Sequence, residues 1–219
     1  MKNILNKIEF HYTYIIMAFG LVITGHFINL IIFTSLIIIH ELGHVIMAII
    51  MRYKVNKIII YPYGGITNID TKINTKIEND LLVAISGIIM QSIYFGIIFF
   101  LYRNGIVREY IYSLFLLYHK SMLIFNLLPI YPLDGGRIIK EILHIKFGLQ
   151  KSRDYINKIS NITVVILTAI SSIVILYIHN IAILIIITYL WYLVVLENQK
   201  YKLQKNTIKG LQNAKNMIS

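Results

Sequence analysis

Long runs of apolar residues, separated by short polar segments, dominate the pattern along the chain. Six of these runs approach the roughly 20 residues that a helix needs to cross the hydrocarbon core of a bilayer. They are residues 12–24, 27–51, 81–102, 110–128, 159–178 and 181–196. The pattern predicts an all-α polytopic membrane protein with about six transmembrane helices. The predicted transmembrane domain covers residues 1–196, and a basic, polar cytosolic tail covers residues 197–219.

The segment between the second and third runs breaks the helical pattern. β-Branched residues flank the turn signal Tyr61-Pro62-Tyr63-Gly64-Gly65, and proline and glycine favour tight turns. We therefore expect a β-hairpin or a re-entrant loop between the second and third helices. Irregular backbone at membrane depth must line a cavity or be buried in protein, so this segment is expected to lie over the second helix. An edge strand there would receive an extended peptide, and a simple cytosolic turn is the alternative.

Composition and charge support a membrane protein. Hydrophobic residues make up 57% of the chain and charged residues 14%, and the mean hydropathy is +0.69, which is too apolar for an ordinary soluble domain. The formal charge is +11, but the Lys and Arg residues concentrate in alternate loops. This positive-inside bias predicts cytosolic termini, contact with the lipid bilayer and no nucleic-acid partner. No cleavage site follows the first run, so we expect that helix to be retained.

Candidate chemistry lies within the second apolar run. The chain has no cysteine, so histidine and carboxylate side chains are the remaining candidate metal ligands. His40 and His44 are four residues apart, which places both imidazoles on one helix face, and Glu41 follows His40. This spacing predicts a zinc site in which Glu41 is the general base. The alternative is a hydrogen-bonded histidine pair at a helix interface, although ionisable groups at membrane depth usually serve a function.

A third zinc ligand is expected elsewhere, because catalytic zinc usually has three protein ligands and one open position. Asp134 is the strongest candidate, since two prolines before it and two glycines after it predict an unwound segment that aims its carboxylate into the bundle. An N-cap role is the alternative. Asn126 is predicted to donate a hydrogen bond to the developing oxyanion or to the substrate backbone, with a plain interhelical hydrogen bond as the alternative. His119 and Lys120 are expected to point inward or into a water-filled groove.

Three motifs together resemble the site-2 protease family of intramembrane zinc metalloproteases. They are the His-Glu-Leu-Gly-His run from His40, the turn signal containing Gly64 and Gly65, and the stretch from Asn126 to Asp134. The resemblance includes the order and spacing of the motifs. The Asn-Leu-Leu-Pro-x-x-Pro-Leu-Asp-Gly-Gly form is most similar to the stage IV sporulation protease FB subgroup, which releases a sigma factor from its precursor. Members of that subgroup often carry a nucleotide-sensing domain, and we expect none here.

The resemblance implies one zinc ion per chain and peptide-bond cleavage near the cytosolic face of a bacterial cell membrane. The implied zinc ligands are His40, His44 and Asp134, the catalytic residue is Glu41, and the residues assigned to substrate binding are Asn126, Gly64 and Gly65. The expected substrate is a membrane-tethered or membrane-spanning protein, with a sporulation sigma-factor precursor as the specific case and membrane-protein regulators as further partners. The alternatives are a non-proteolytic transporter or client-holding regulator, and a general site-2 protease that acts on signal peptides or anti-sigma factors.

The third predicted helix departs from the family pattern at two positions. Family members often have a Gly-Pro pair followed by an asparagine, whereas this chain has Ser86-Gly87-Ile88 without the proline, and Gln91 stands at the asparagine position. Glycine allows two helix backbones to approach closely in a membrane. We therefore expect close helix packing at Gly87 in spite of the missing proline.

Overall fold

The computed structural model describes residues 7–62, 64–70, 76–178 and 182–218. Several residues covered by the sequence predictions lie outside these ranges: residues 1–6, 71–75 and 179–181 of the predicted domain, Tyr63 of the turn signal and Ser219 of the tail. The chain divides into two compact units, Met1–Asn126 and Leu127–Ser219.

The first unit contains a small sheet and four helices within its described residues. Its elements are β1 (Ile8–Phe10), α1 (Tyr12–Ile23), α2 (Phe27–Ile50), β2 (Lys54–Tyr61), β3 (Gly64–Asp70), α3 (Ile77–Arg103) and α4 (Glu109–Leu127). The described residues of the second unit form α5 (Asp134–Phe147), α6 (Leu149–Ile178) and α7 (Ala182–Ile218).

Within the part of the chain that the structure describes, four helices are long and apolar enough to cross a membrane: α2, α3, α6 and most of α7. Large apolar side chains remain exposed along them, such as Ile50 at 63% and Leu176 at 75%, which is expected of surfaces that face lipid. Helix α1 is apolar but has only 12 residues, and α4 is not among the four. The prediction of a helical membrane protein is therefore confirmed, while the count of six spans stays a prediction.

The predicted β-hairpin forms between α2 and α3. Strands β2 and β3 pair antiparallel, with Ile60 opposite Gly65 and Ile58 opposite Thr67. The sheet has the order β1-β2-β3, because β1 adds in parallel to the other side of β2. Sequence analysis did not predict β1, since three residues carry too little alternation to indicate a strand. The order leaves β3 at one edge of the described sheet.

Helices α2 and α3 approach closely at a pair of glycines, as predicted for Gly87. A Cβ atom added to Gly43 would lie 2.5 Å from the Ser86 carbonyl oxygen and 2.8 Å from Met90 Cβ, which is closer than real Cβ atoms approach their neighbours, and 3.0 Å from Gly87 Cα. The buried face of α2 is apolar on either side of this crossing, with Leu36 and Ala48 fully enclosed. The crossing therefore fixes where the polar residues of α2 meet α3.

In the second unit, a non-helical segment precedes α5. Helix α4 ends at Leu127, and residues 128–133 are irregular, as the two prolines predict. Asp134 is the first residue of α5 and Leu133 is the N-cap, so the alternative of Asp134 as N-cap is wrong. A Cβ at Gly135 would lie 2.3 Å from the Leu127 carbonyl oxygen, and one at Gly136 2.4 Å from Ile130 C. These glycines therefore serve close backbone packing within a helix rather than a turn.

Helix α7 continues into the segment predicted as a tail. It runs from Ala182 to Ile218, whereas the sequence prediction places the end of the last span at residue 196. The polarity changes near Glu197, but the helix does not stop there, because the tail contains no proline and only one glycine. The domain boundary at residue 196 stays a prediction.

Candidate metal centre

Helix α2 brings three ionisable side chains to its buried face. His40, Glu41 and His44 are 2%, 5% and 3% exposed, and one ligand atom from each lies within 4.8 Å of the others. The i,i+4 spacing places the two histidines in line with Leu36 and Ala48 on the face that packs into the core. These groups are costly to bury, so their hydrogen bonds decide what they can do.

Hydrogen bonds define the tautomer of His44. Its Nδ1 atom is 2.7 Å from the backbone carbonyl oxygen of Val83. A carbonyl oxygen only accepts, so Nδ1 must carry the proton. The neutral imidazole of His44 then presents a lone pair at Nε2, which is the atom that binds a metal in this arrangement.

A second network defines the tautomer of His40 through Gln91, which is fully buried. The Gln91 Nε2 atom donates to the backbone carbonyl oxygen of His119 at 3.0 Å and lies 3.2 Å from His119 Nδ1. Because that carbonyl requires the amide nitrogen, Gln91 Oε1 must face His40 Nδ1, at 3.2 Å. His40 Nδ1 therefore donates, and its Nε2 atom also presents a lone pair.

The two histidine Nε2 atoms fit one zinc ion. They lie 3.1 Å apart, close to the separation of about 3.3 Å expected for two nitrogens at 2.0–2.1 Å from a tetrahedral zinc. A Cβ at Gly87 would lie 2.3 Å from His44 Nε2 and 2.9 Å from His40 Cε1. Glycine at residue 87 therefore keeps a space beside the imidazoles that any side chain would fill. The donor set of nitrogen atoms and a carboxylate also suits zinc.

The hairpin holds Glu41. The Thr67 hydroxyl donates to Glu41 Oε2 at 2.5 Å, and a Cβ at Gly65 would lie 2.3 Å from Glu41 Cγ and 2.7 Å from Oε1. Edge strand β3 therefore lies directly against the carboxylate, as predicted for a segment over the second helix. Gly65 belongs to this contact, whereas Gly64 begins β3 with a φ of +144°, which L side chains rarely adopt.

The other predicted site residues lie at the end of α4 and the start of α5. Asn126 is half-buried and precedes the last residue of α4. Asp134 is 6% exposed and is the first residue of α5. It belongs to the second unit, so its role as the third ligand stays a prediction. Lys120 is exposed whereas His119 is buried, because adjacent helical residues point about 100° apart.

Sequence analysis missed two members of the site. Gln91 was noted only as a departure from the family pattern, and Thr67 was not considered. A polar amide within an apolar span is a usable signal for a buried hydrogen-bond partner. Thr67 gives a weaker signal, because threonine is common in strands.

Comparison with known proteins identifies the family. The model of peptidase family M50 matches residues 28–105 and 101–170, more than half of the chain. The match includes the three ionisable residues of α2, His40, Glu41 and His44, and extends through Asp134. The chain belongs to peptidase family M50.

Two curated relatives and one solved structure are similar to this chain. Stage IV sporulation protein FB of Bacillus subtilis is 29% identical over 151 residues, 68% of this chain and 52% of that protein. Zinc metalloprotease MJ0392 of Methanocaldococcus jannaschii is 34% identical over 160 residues, 66% of this chain and 45% of that protein. The site-2 protease structure from M. jannaschii aligns with a TM-score of 0.63 and 27% identity over 87% of this chain and 89% of that chain. The chain spans about half the length of the two curated relatives.

Proposed function

We propose that this chain is an intramembrane zinc endopeptidase that hydrolyses a peptide bond in a membrane-tethered or membrane-spanning protein. The observation that carries the proposal is the convergence of His40 Nε2 and His44 Nε2, 3.1 Å apart, beside a buried glutamate. Membership of peptidase family M50 and similarity to a zinc metalloprotease and a site-2 protease support it.

Zinc would be held by His40 and His44, with Asp134 proposed as the third ligand. When bound, the ion supplies Lewis-acid activation of water and of the scissile carbonyl. The Nδ1 hydrogen bonds to Val83 and Gln91 direct both histidine lone pairs toward it. Asp134 is buried at the N-terminus of α5, and a carboxylate oxygen is one of the ligand types that zinc takes.

Glu41 is the proposed general base. Because Thr67 holds Oε2, Oε1 is the oxygen that takes a proton from water as the water oxygen attacks the carbonyl carbon. Glu41 then returns this proton to the amide nitrogen as the C–N bond breaks. Asn126 is proposed to donate a hydrogen bond to the developing oxyanion or to the substrate backbone.

Edge strand β3 is the proposed binding surface for the substrate. A peptide extended along β3 would pair through its main chain, and Gly65 and Thr67 of that strand contact Glu41. Such pairing requires the substrate to leave its helical form locally, which exposes the peptide bond to water. Gly64 and Gly65 are assigned to this surface because they begin the strand without side chains that would obstruct it.

The proposed topology has both termini in the cytosol of a bacterial cell. His44 precedes Ile50, the last residue of α2, by six residues, or about 9 Å at 1.5 Å per residue. Water must cross that distance from the end of α2, so cleavage is proposed near the cytosolic face. A sporulation sigma-factor precursor is the proposed substrate, supported by similarity to stage IV sporulation protein FB.

Co-expression with a candidate substrate tests the proposal. The chain is expressed with the sigma-factor precursor of its own genome as wild type, as Glu41→Gln and as Glu78→Gln, an exposed control on α3. Cleavage by wild type and Glu78→Gln, with none by Glu41→Gln, is the expected result on an immunoblot. Full cleavage by Glu41→Gln would refute the assignment of the base. Cleavage of signal peptides or anti-sigma factors but not of the precursor would instead favour a general site-2 protease.

A further inference from the structure

A polar cavity of about 230 Å³ lies in the second unit, and none of the residues assigned above to the metal centre lines it. Its walls come from α5, α6, α7 and the irregular segment before α5. Its basic and amide side chains are those of Lys140, Arg153, Asn157, Lys200 and Gln204, and the other polar groups are the Glu197 carboxylate and the hydroxyls of Tyr131 and Tyr201. We call this site the basic cavity.

The basic cavity lies at the polar ends of two apolar helices. Arg153 and Asn157 precede the apolar stretch of α6, and Lys200 and Gln204 follow that of α7. Both helices are long and apolar enough to cross a membrane. Where such a helix passes from apolar to basic residues, it reaches the depth of the lipid phosphates.

The charge of the basic cavity is not balanced by its own walls. Lys140, Arg153 and Lys200 line it together with one carboxylate, Glu197. Lys200 Nζ lies 2.6 Å from Glu197 Oε1. Lys140 pairs with Glu141 at 2.6 Å, a residue outside the lining. A net positive charge therefore remains inside.

Arg153 carries most of this excess charge. It donates from Nη1 to the Gln204 amide oxygen at 2.5 Å, and that partner is neutral. Among the described residues, no carboxylate forms an ion pair with Arg153. Its planar guanidinium has five N–H donors in a geometry that matches a phosphate group.

We propose that the basic cavity binds a phosphate group, carried by an anionic lipid headgroup or by a free phosphate compound. Arg153 supplies the directional hydrogen bonds, Lys140 and Lys200 supply further charge, and the Asn157 amide supplies a neutral donor. Basic pockets between membrane helices at this depth are typical of phospholipid headgroup recognition.

Native mass spectrometry of the full chain, delipidated in neutral detergent, tests the proposal. Phosphatidylglycerol and phosphatidylcholine are titrated separately into wild type and into Arg153→Gln/Lys200→Gln. The matched control is Lys151→Gln/Lys202→Gln, which removes two exposed charges from the same helices outside the cavity. Wild type and the control are expected to bind phosphatidylglycerol in preference to phosphatidylcholine. The cavity variant should bind phosphatidylglycerol at least tenfold more weakly than wild type, since each basic side chain contributes about fivefold in affinity.

A second arm separates the two sources of phosphate. Binding of inorganic phosphate is followed by ³¹P NMR. If phosphate binding is lost only in the cavity variant and wild type shows no selective lipid binding, the site belongs to a free phosphate compound. The charge-conserving variant Arg153→Lys/Lys200→Arg should restore part of the binding, because it keeps both charges but moves the guanidinium; a misfolded protein would restore none. Equal phosphatidylglycerol binding by wild type and the cavity variant, with no phosphate binding, would overturn the proposal. Equal losses in the cavity and control variants would also overturn it.

Discussion

The metal centre and the basic cavity both gather polar side chains, but they are specified by different interactions. At the metal centre, the histidines and Gln91 are buried, and neutral hydrogen bonds fix which nitrogen carries each proton. The basic cavity uses partly exposed charges on Lys140, Arg153 and Lys200. A buried, directional network tolerates few changes, because each buried polar group that loses its hydrogen-bond partner lowers the stability of the fold by about 1–3 kcal/mol. An exposed charge is screened by solvent and can be replaced by another of the same sign.

The largest effect is expected when the space beside the histidines is filled. In Gly87→Ala the new methyl would lie 2.3 Å from His44 Nε2, so the imidazole must move from its position. We expect the variant to lose bound zinc and measurable cleavage. Gly96→Ala on the same helix is the control, since nothing lies within 4 Å of a Cβ there. Zinc content by elemental analysis checks this prediction, and normal zinc in Gly87→Ala would contradict the geometry.

A smaller loss is expected when the His40 tautomer is no longer fixed. Gln91→Leu removes the acceptor at 3.2 Å from His40 Nδ1, so the proton is no longer confined to that nitrogen. Hydrogen-bond partners of metal ligands typically contribute 10–100-fold in affinity, and we expect a loss of that size in competition with a zinc chelator. Ser92→Ala, at an exposed neighbouring residue on α3, should leave the affinity unchanged. Unchanged affinity in Gln91→Leu would show that Gln91 is only a packing residue.

The smallest effect at the metal centre should come from the partner of the base. Thr67→Val removes the hydroxyl that donates to Glu41 Oε2 while it keeps the shape of the side chain. A hydrogen bond to a charged group contributes about 1.5 kcal/mol or more, which corresponds to roughly a tenfold drop in cleavage rate. Zinc content should not change, and Thr67→Ser should restore most of the rate. A loss of zinc in Thr67→Val would mean that β3 supports the ligands as well as the base.

Local sequence patterns predict the helices and strands of this chain well, but they predict the contacts between those elements poorly. Apolar runs predicted α2 and α3 to within a few residues, and the proline and glycine signal predicted the hairpin. His40, Glu41 and His44 are grouped because they share one helix, so their spacing alone brings them together.

The close packing at Gly87 and the position of the hairpin over α2 were predicted, but the individual side-chain contacts between distant elements did not follow from the sequence. Gln91 contacts His40 only because α2 and α3 cross at Gly43 and Gly87. The relative rotation of two packed helices cannot be predicted from the sequence of either helix alone. The contact of Thr67 with Glu41 depends on how the hairpin folds over α2. Gly135 was expected to contribute to an unwound segment around Asp134 but lies in α5, since glycine signals both irregular backbone and close packing.

The central claim is that α2 holds zinc through His40 and His44 and that Glu41 acts on the substrate without being a ligand. The most direct test of this claim is the zinc content per chain, measured by elemental analysis on purified wild type, Glu41→Gln and His44→Ala. The account predicts one zinc ion per chain in wild type and in Glu41→Gln, and almost none in His44→Ala. Full zinc in His44→Ala, or its loss in Glu41→Gln with the fold intact, would contradict the account.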